Sequence, residues 1–303
     1  MNWISIGGDF QNKKNSIIFQ GGYQQVDNAI SNLENVPSKC GILLFNERFL
    51  NGTMEANIEF VSLNQFDEVE FVFNYKNERD FMCAGITNSQ AKYELKKFKE
   101  QWEYLRLSGY FEALPHKKFN LKVIILGSNV DLYIDNIKVF SHTVSDSLIF
   151  SNVGLWVRSG SSVIIKDLKF EYKKPTAFII SQFGNDYDIL YNDVIKPICQ
   201  NSNYDTIRAD EVATCSAILE DIVSSIKNAS VIIADITPDN PNVFYELGYA
   251  HAINKPTILL CEKSSRTKLP FDISGFRTIF YDNTIGGKKK VEEKLNEYLH
   301  NII

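Results

Sequence analysis

The sequence predicts a two-domain protein, an all-β sandwich followed by an α/β doubly wound parallel sheet. Three observations predict it. A chain of 303 residues is long for one domain, and 44% hydrophobic with 13% aromatic residues is enough for two packed cores and too much for a disordered chain. Up to about residue 172 the apolar residues fall in short runs of period two, separated by Gly, Asn, Asp and Ser. Beyond Tyr172-Lys173-Lys174-Pro175 the pattern changes to continuous apolar runs that alternate with helical ones. The boundary therefore separates a domain of residues 1–172 from one of residues 173–303.

In the first domain, GTMEANIEFVSL, EVEFVFNYK and the later alternating runs read as strands of an antiparallel sandwich. LKVIILGSNVDLYIDNIKVF has turn residues at Gly127-Ser128-Asn129 and at Asp135-Asn136, which gives three hairpin-linked strands. Only Ala91 to Glu103 breaks the alternation and reads as a helical or irregular insertion. The early FNERFLNGTMEANIEF and the late VDLYIDNIKVF and NVGLWVRSGSSVIIKDLKFEY resemble the concanavalin-like (laminin-G-like) jelly-roll sandwiches, over roughly residues 5–172. Members of that fold bind sugars, cleave glycosides or mediate contacts, so the fold by itself selects no function. Trp102, Tyr104 and Trp156 are candidates for stacking on a sugar ring, with core packing the competing reading. No carboxylate pair has a sequence context that marks a glycosidase, and a recognition or assembly module is expected.

In the second domain TAFIISQF is a buried strand of the parallel type, followed by the helical DYDILYNDVIKPICQ, the strand YDTIRA and the helix SAILEDIVSSIKNA. ASVIIADI, NVFYELGYAHAI, KPTILLC, RTIFYD and KKKVEEKLNEYLHNII continue the alternation. Strands and helices of this length describe a doubly wound, flavodoxin-like parallel sheet, and ligands of such sheets sit at the carboxyl ends of the strands.

The strand VIIADI ends with Asp235, which reads either as a group pointing into the crevice or as a strand-end cap for its own loop. Asn240 is an N-cap and Pro241 stands at the first helical position, so a helix start is well marked. At about 100° per residue, Glu246 borders the packed face of that helix. A surface pairing with Lys255 is its competing reading. Gly248, inside the same helix, costs about 1 kcal/mol relative to alanine and predicts a close approach of a neighbouring element or ligand. After the first strand of this domain, Ser181, Gln182, Phe183 and Gly184 are candidates to meet a phosphate, although no G-x-G-x-x-G pattern is present. Arg208 and Asp210, just beyond the second strand, are candidates for ribose or phosphate. Tyr245 and Tyr249 are candidates to wall a base, with Asn242 a binding residue beside them, and core packing competes for both tyrosines. His251 reads as a helix-surface histidine.

NPNVFYELGYAHAINKP, preceded by VIIADIT, resembles the signature of the nucleoside 2-deoxyribosyltransferase-like and TIR-like superfamily of nucleotide-binding domains. FIISQFGNDYDILYNDVIKPICQ, YDTIRADEV, AILEDIVSSIKNASVIIADIT and LPFDISGFRTIFYD are similar in the same order, so the resemblance covers about residues 175–303. It implies cleavage of an N-glycosidic bond at ribose, with Glu246 as the catalytic carboxylate. In bacterial TIR-like relatives the substrate is typically NAD and the role antiphage defence; in the deoxyribosyltransferases it is a deoxynucleoside. NAD is then a substrate, and neither metal nor bound cofactor is required. A homo-oligomer is expected from the resemblance, with the sandwich as a place for an activating ligand or protein. Breaking a ribosyl C1′–N bond builds oxocarbenium character, which a fixed carboxylate stabilises or captures covalently. Nicotinamide leaves as a neutral molecule and needs no acid, whereas an ordinary base leaves better protonated. Asp235 and Asp239 are the local acid candidates. A catalytically silent nucleotide sensor, Glu246 then only accepting bonds from ribose hydroxyls, and a carbohydrate receptor binding saccharide at Trp102 or Trp156 are the remaining readings.

A formal charge of −5 and a pI near 5.5 do not favour nucleic acid as the main partner. Cys40, Cys83, Cys199, Cys215 and Cys261 are scattered without a C-x-x-C pair, so neither a zinc site nor a disulfide framework is suggested. MNWISIGGDFQNKKN lacks the pattern of a secretion signal, and no run reaches the roughly 18 apolar residues of a membrane helix. A soluble, cytoplasmic protein with no membrane partner is expected.

Overall fold

The computed structural model describes residues 2–23, 38–88, 93–109, 118–211, 218–266 and 269–300. Cys215 and Ala91 lie outside them. The chain packs as two compact units. The first comprises Met1–Ile125, Val130–His142 and Phe150–Lys173; the second takes up at Lys174 and also holds two short earlier pieces, Leu126–Asn129 and Thr143–Ile149.

The first unit is built from β1 (Trp3–Gly7), β2 (Phe10–Lys13), β3 (Ser16–Phe19), β4 (Lys39–Phe49) and β5 (Asn51–Phe60). β6 (Glu68–Asn77), β7 (Asp80–Thr87), β8 (Tyr93–Lys99) and β9 (Gln101–Ser108) follow. β10 (Lys118–Leu126), β11 (Asn129–Ile134), β12 (Ile137–Thr143), β13 (Ser151–Ser159) and β14 (Val163–Lys173) complete it. They form two seven-stranded sheets, in the orders β1-β4-β13-β6-β7-β8-β9 and β12-β11-β10-β5-β14-β3-β2, and every strand pair recorded in them is antiparallel. This is an all-β sandwich of jelly-roll type. Alternation does the sorting: one side of each strand faces the opposite sheet, where Phe170 of β14 packs its ring against Phe45 of β4 at 5.1 Å and Phe71 of β6 at 6.5 Å. The β10–β11–β12 meander turns at Asp135 and Asn136, both in the left-handed region (φ 50° and 64°), as the short polar turn requires.

From Tyr93 on, the expected insertion is instead the hairpin β8–β9, whose turn is made by Glu100 at φ 60°; residues 91 and 92 lie outside the described residues. The alternation was masked there because Glu94 and Lys96 take buried places that apolar residues normally fill. On the second face of this sheet Ile42, Leu44, Val72, Phe81 and Cys83 form a separate apolar cluster with Phe98, Trp102 and Trp156 packed on it. Trp102 and Trp156 lie 5.5 Å apart and Trp102 meets Phe98 at 4.9 Å, so both tryptophans pack against protein. Tyr104 remains exposed.

The second unit contains β15 (Thr176–Ile180), α1 (Asn185–Leu190), a π turn (Tyr191–Ile195), α2 (Lys196–Asn201) and β16 (Asp205–Arg208). α3 (Ile218–Asn228), β17 (Val231–Asp235), α4 (Pro241–Ala252), β18 (Thr257–Glu262), β19 (Thr278–Tyr281) and α5 (Ile285–His300) follow. The five strands are parallel in the order β16-β15-β17-β18-β19, so the order reverses between β15 and β17. Both faces are covered. Leu190, Tyr191, Ile198, Val291, Leu295 and Leu299 pack on one side, and Ile226, Val243, Leu247 and Ala250 on the other. That is why β17 is buried at every position and reads as an apolar run up to its last residue, Asp235. Among the described residues no helix is long and apolar enough to cross a membrane.

Candidate functional site

At the reversal point of this sheet, the loops after β15 and β16 meet the start of α4 and the side of α3 around a cavity of about 600 Å³. A crevice beyond the carboxyl ends of the strands, where their order reverses, is the usual ligand position of such sheets, and its size suits a nucleoside-sized molecule. Ser181, Gln182 and Phe183 enter from the first loop and Ala209 and Asp210 from the second. Leu219 and Ile222 come from α3, and Asn240, Asn242, Val243, Tyr245 and Glu246 from the start of α4.

The local sequence fixes each wall. Gly184 caps α1 at φ 148°, a conformation open to glycine, and so turns the chain sharply after Phe183. Asn240 caps α4 by accepting the Asn242 N–H at 2.9 Å, and its amide donates to Gln182 Oε1 at 3.4 Å, tying two walls together. Ser181 Oγ is buried and has no hydrogen-bond partner among the described residues, a polar atom available to something in the cavity. Arg208 is 7% exposed: Nε and Nη2 donate to the two oxygens of Asp210 at 2.7 and 2.5 Å, and Nη1 donates to Asp188 at 2.7 Å. Its guanidinium lies 4.7 Å from the centre of the Tyr191 ring and 5.7 Å from that of Phe183.

Glu246 is half-buried, and among the described residues its carboxylate has neither hydrogen bond nor ion pair. Burial, with no compensating partner, pushes its pKa up to about 7. It reaches the cavity because Val243, Leu247 and Ala250 hold the other side of α4 against the sheet. The competing pairing with Lys255 does not occur. Lys255 is buried, and its ammonium donates to the carbonyls of Lys227 (2.6 Å) and Ala229 at the end of α3.

Seven of the residues singled out in the sequence therefore share one cavity: Glu246, Ser181, Gln182, Phe183, Asp210, Asn242 and Tyr245. Asp235 does not join them. It is 2% exposed, accepting the Tyr281 hydroxyl at 2.7 Å and the Thr237 N–H at 2.9 Å, and burial pushes it up to about 6 against the pull of those bonds. It ties the loop to β19. Arg208 stands behind the wall rather than in it, Gly184 shapes the loop, and Tyr249 packs into the core. Asp239 is exposed and pairs with Arg266. His251 stacks on Phe276 at 3.8 Å. The close approach expected at Gly248 is absent, since a Cβ there would meet no atom within 4 Å among the described residues. Sequence reasoning missed Leu219 and Ile222, whose one signal was an apolar residue on the exposed side of α3, and the pair Asn240–Gln182.

The sandwich holds a second polar cluster that the sequence did not reveal. Lys96 is 2% exposed and contacts Glu94 at 2.6 Å, Glu70 at 2.8 Å and Glu68 at 3.2 Å, while Arg158 also reaches Glu68 at 2.5 Å. Burial opposes the charge on Lys96, but the carboxylates outweigh it and raise its pKa; burial holds Glu70 well above the usual carboxylate range. The three carboxylates are close enough to hold a cation, and the ammonium already fills that role.

No protein-family model matches the chain, and no curated protein matches it. Among solved structures it is similar to the carbohydrate binding module CBM66 from Bacillus subtilis, at 13% identity over 56% of this chain and 94% of that one, with a TM-score of 0.45. It is also similar to a Bacillus licheniformis beta-glucanase, at 8% identity over 57% and 92%, with a TM-score of 0.37. A galectin-like protein of unknown function from Bacillus subtilis is similar at 9% identity over 56% and 89%, with a TM-score of 0.40. None of these lends this chain a ligand or an activity.

Proposed function

We propose that the second unit is an N-glycosidase that cleaves the nicotinamide–ribose bond of NAD, with Glu246 as its catalytic carboxylate. The observation that carries this reading is a half-buried carboxylate, unpaired among the described residues, that faces a cavity at the switch point of the sheet. A group that burial has made reluctant to ionise gains most when positive charge develops beside it, as it does on C1′ when the bond to the pyridinium nitrogen breaks. The bond pair leaves with nicotinamide, which is neutral as it departs. Water then adds to C1′ and loses a proton to Glu246, giving nicotinamide, ADP-ribose and one proton from NAD and water. Capture by an internal nucleophile in place of water would give a cyclic product. The Ser181 hydroxyl and the Gln182 and Asn240 amides suit ribose hydroxyls, and Leu219, Ile222 and Tyr245 suit the face of a ring. The TIR-like signature around Glu246 supports the same assignment and, with it, a role as a defence effector or signal producer.

Cleavage of an ordinary nucleoside fits less well. It needs an acid at the base, and the nearby candidates are engaged: Asp235 lies under Tyr281, Asp239 faces Arg266, and both oxygens of Asp210 accept from Arg208. Nicotinamide release from NAD should be measured chromatographically for the wild type and Glu246→Gln. Loss of about 10²–10⁴-fold in the variant is expected. A well-folded wild type that releases no nicotinamide, or a variant as fast as the parent, would reject the assignment.

A further inference from the structure

Resting on the glycosidase reading, we propose that the cavity recognises the cationic riboside and not phosphate, and that Asp188 and Asp210 set this preference by holding Arg208 out of the site. The charged side chains that line the cavity are Asp210 and Glu246, and among the described residues no lysine or arginine lines it. Residues 212–217, between β16 and α3, add none in sequence. Among the described residues Arg208, Lys196 and Arg266 each have an acidic partner. Arg208 spends its fork on Asp210 and a third nitrogen on Asp188, between the rings of Tyr191 and Phe183. Lys196 pairs with Glu211 at 3.5 Å, and Arg266 with Asp239.

One feature opposes this charge. The amino end of α4 faces the cavity, and a helix end carries about half a positive charge. Pro241 offers no N–H, and the Asn242 N–H is taken by Asn240, so this end is already partly satisfied. Asp188 and Asp210 together exceed the single charge of Arg208, and Glu246 adds to that excess when ionised, which outweighs the helix end. A negative interior attracts a pyridinium and repels a phosphate, and a guanidinium can reach phosphate only by leaving two acidic side chains unpaired. The diphosphate and adenosine of NAD then lie outside the cavity and add little to recognition. Phosphate-free pyridinium ribosides become substrates as good as NAD, with Asp188 acting on specificity without touching the ligand.

The test uses the full chain carrying Glu246→Gln, which stops turnover and leaves in place the excess negative charge of Asp188 and Asp210 over Arg208, titrated calorimetrically with nicotinamide riboside, nicotinamide mononucleotide and inorganic pyrophosphate. Nicotinamide riboside should bind at least as tightly as the mononucleotide, and pyrophosphate should not compete. Adding Asp188→Asn should shift the preference toward the mononucleotide by about tenfold. Thermal melting establishes that the double variant is folded, and the comparison in the parent stands without it. Tighter binding of the mononucleotide in the parent, or competition by pyrophosphate, overturns the inference while leaving the glycosidase reading intact if the wild type releases nicotinamide. An unchanged preference in a folded Asp188→Asn variant removes the role of Asp188. Binding of none of the three overturns the inference, and absence of nicotinamide release from NAD would take the glycosidase reading with it.

Discussion

Glu246 carries two consequences of one cause. Its pKa is raised to about 7 because burial penalises the charged form and nothing nearby compensates. The form that assists bond breaking is the carboxylate, so kcat/KM for nicotinamide release should rise with pH through about 7 and level off above it; a profile flat from pH 5 to 8 would contradict the role. For stability the sign is the reverse. The folded state holds the proton more tightly than the unfolded chain, whose glutamate titrates near 4.5. The group therefore costs nothing below that value, and its cost grows to its full size as pH passes 7. Glu246→Gln should thus melt higher than the wild type at pH 8 and equally at pH 4. Asp235 follows a different logic. Because it is bonded to Tyr281 and Thr237 away from the cavity, Asp235→Asn should lower the melting temperature and leave KM for NAD unchanged. A rise in KM without loss of stability would return Asp235 to the site.

At the scale of elements, legibility in the sequence depended on whether a local signal agreed with its tertiary use. The start of α4 was readable because Asn240 and Pro241 are each used as their chemistry suggests, and β17 because a strand buried on both faces is apolar from Val231 to Ala234. The grouping of Glu246 with Ser181, Gln182 and Asp210 followed from the strand–helix alternation and the signature around the glutamate. The hairpin β8–β9 was not readable, since a buried lysine with three glutamates looks polar one residue at a time and apolar only as a neutralised set. That set makes a test. Lys96→Met leaves three buried carboxylates with Arg158, on Glu68, as the cation still paired with them among the described residues, and should cost about 3–5 kcal/mol at pH 7.5 by urea unfolding. The deficit should shrink at pH 5 as Glu70, held high by burial, takes up a proton; a deficit independent of pH would assign the loss to packing. Gly248 was misread for the opposite reason. Its place in α4 is explained by no neighbour, and Gly248→Ala should raise stability by up to about 1 kcal/mol in the same assay.

On the scale of the whole molecule, the question is whether one chain supplies a complete site. The cavity already contains its carboxylate, its unpartnered hydroxyl and an apolar wall, all from the second unit. Yet its mouth is open: Phe183, Leu219 and Tyr245 are each more than half exposed, and three large apolar side chains around one opening leave water in contact with the place where an oxocarbenium-like carbon would form. Excluding that water strengthens the interaction of Glu246 with the developing charge. A second copy of the chain or a ligand-driven closure would cover them, which is the association proposed for this chain. Specific activity should therefore rise with protein concentration at fixed NAD, and replacing Tyr245 by serine should weaken that rise more than it changes the affinity for nicotinamide riboside in the Glu246→Gln background. The concentration series reports on closure and the titration on the cavity itself. If specific activity is the same from nanomolar to micromolar chain, the open cavity of a single molecule suffices, and the exposed rim must be assigned to binding the substrate ring instead.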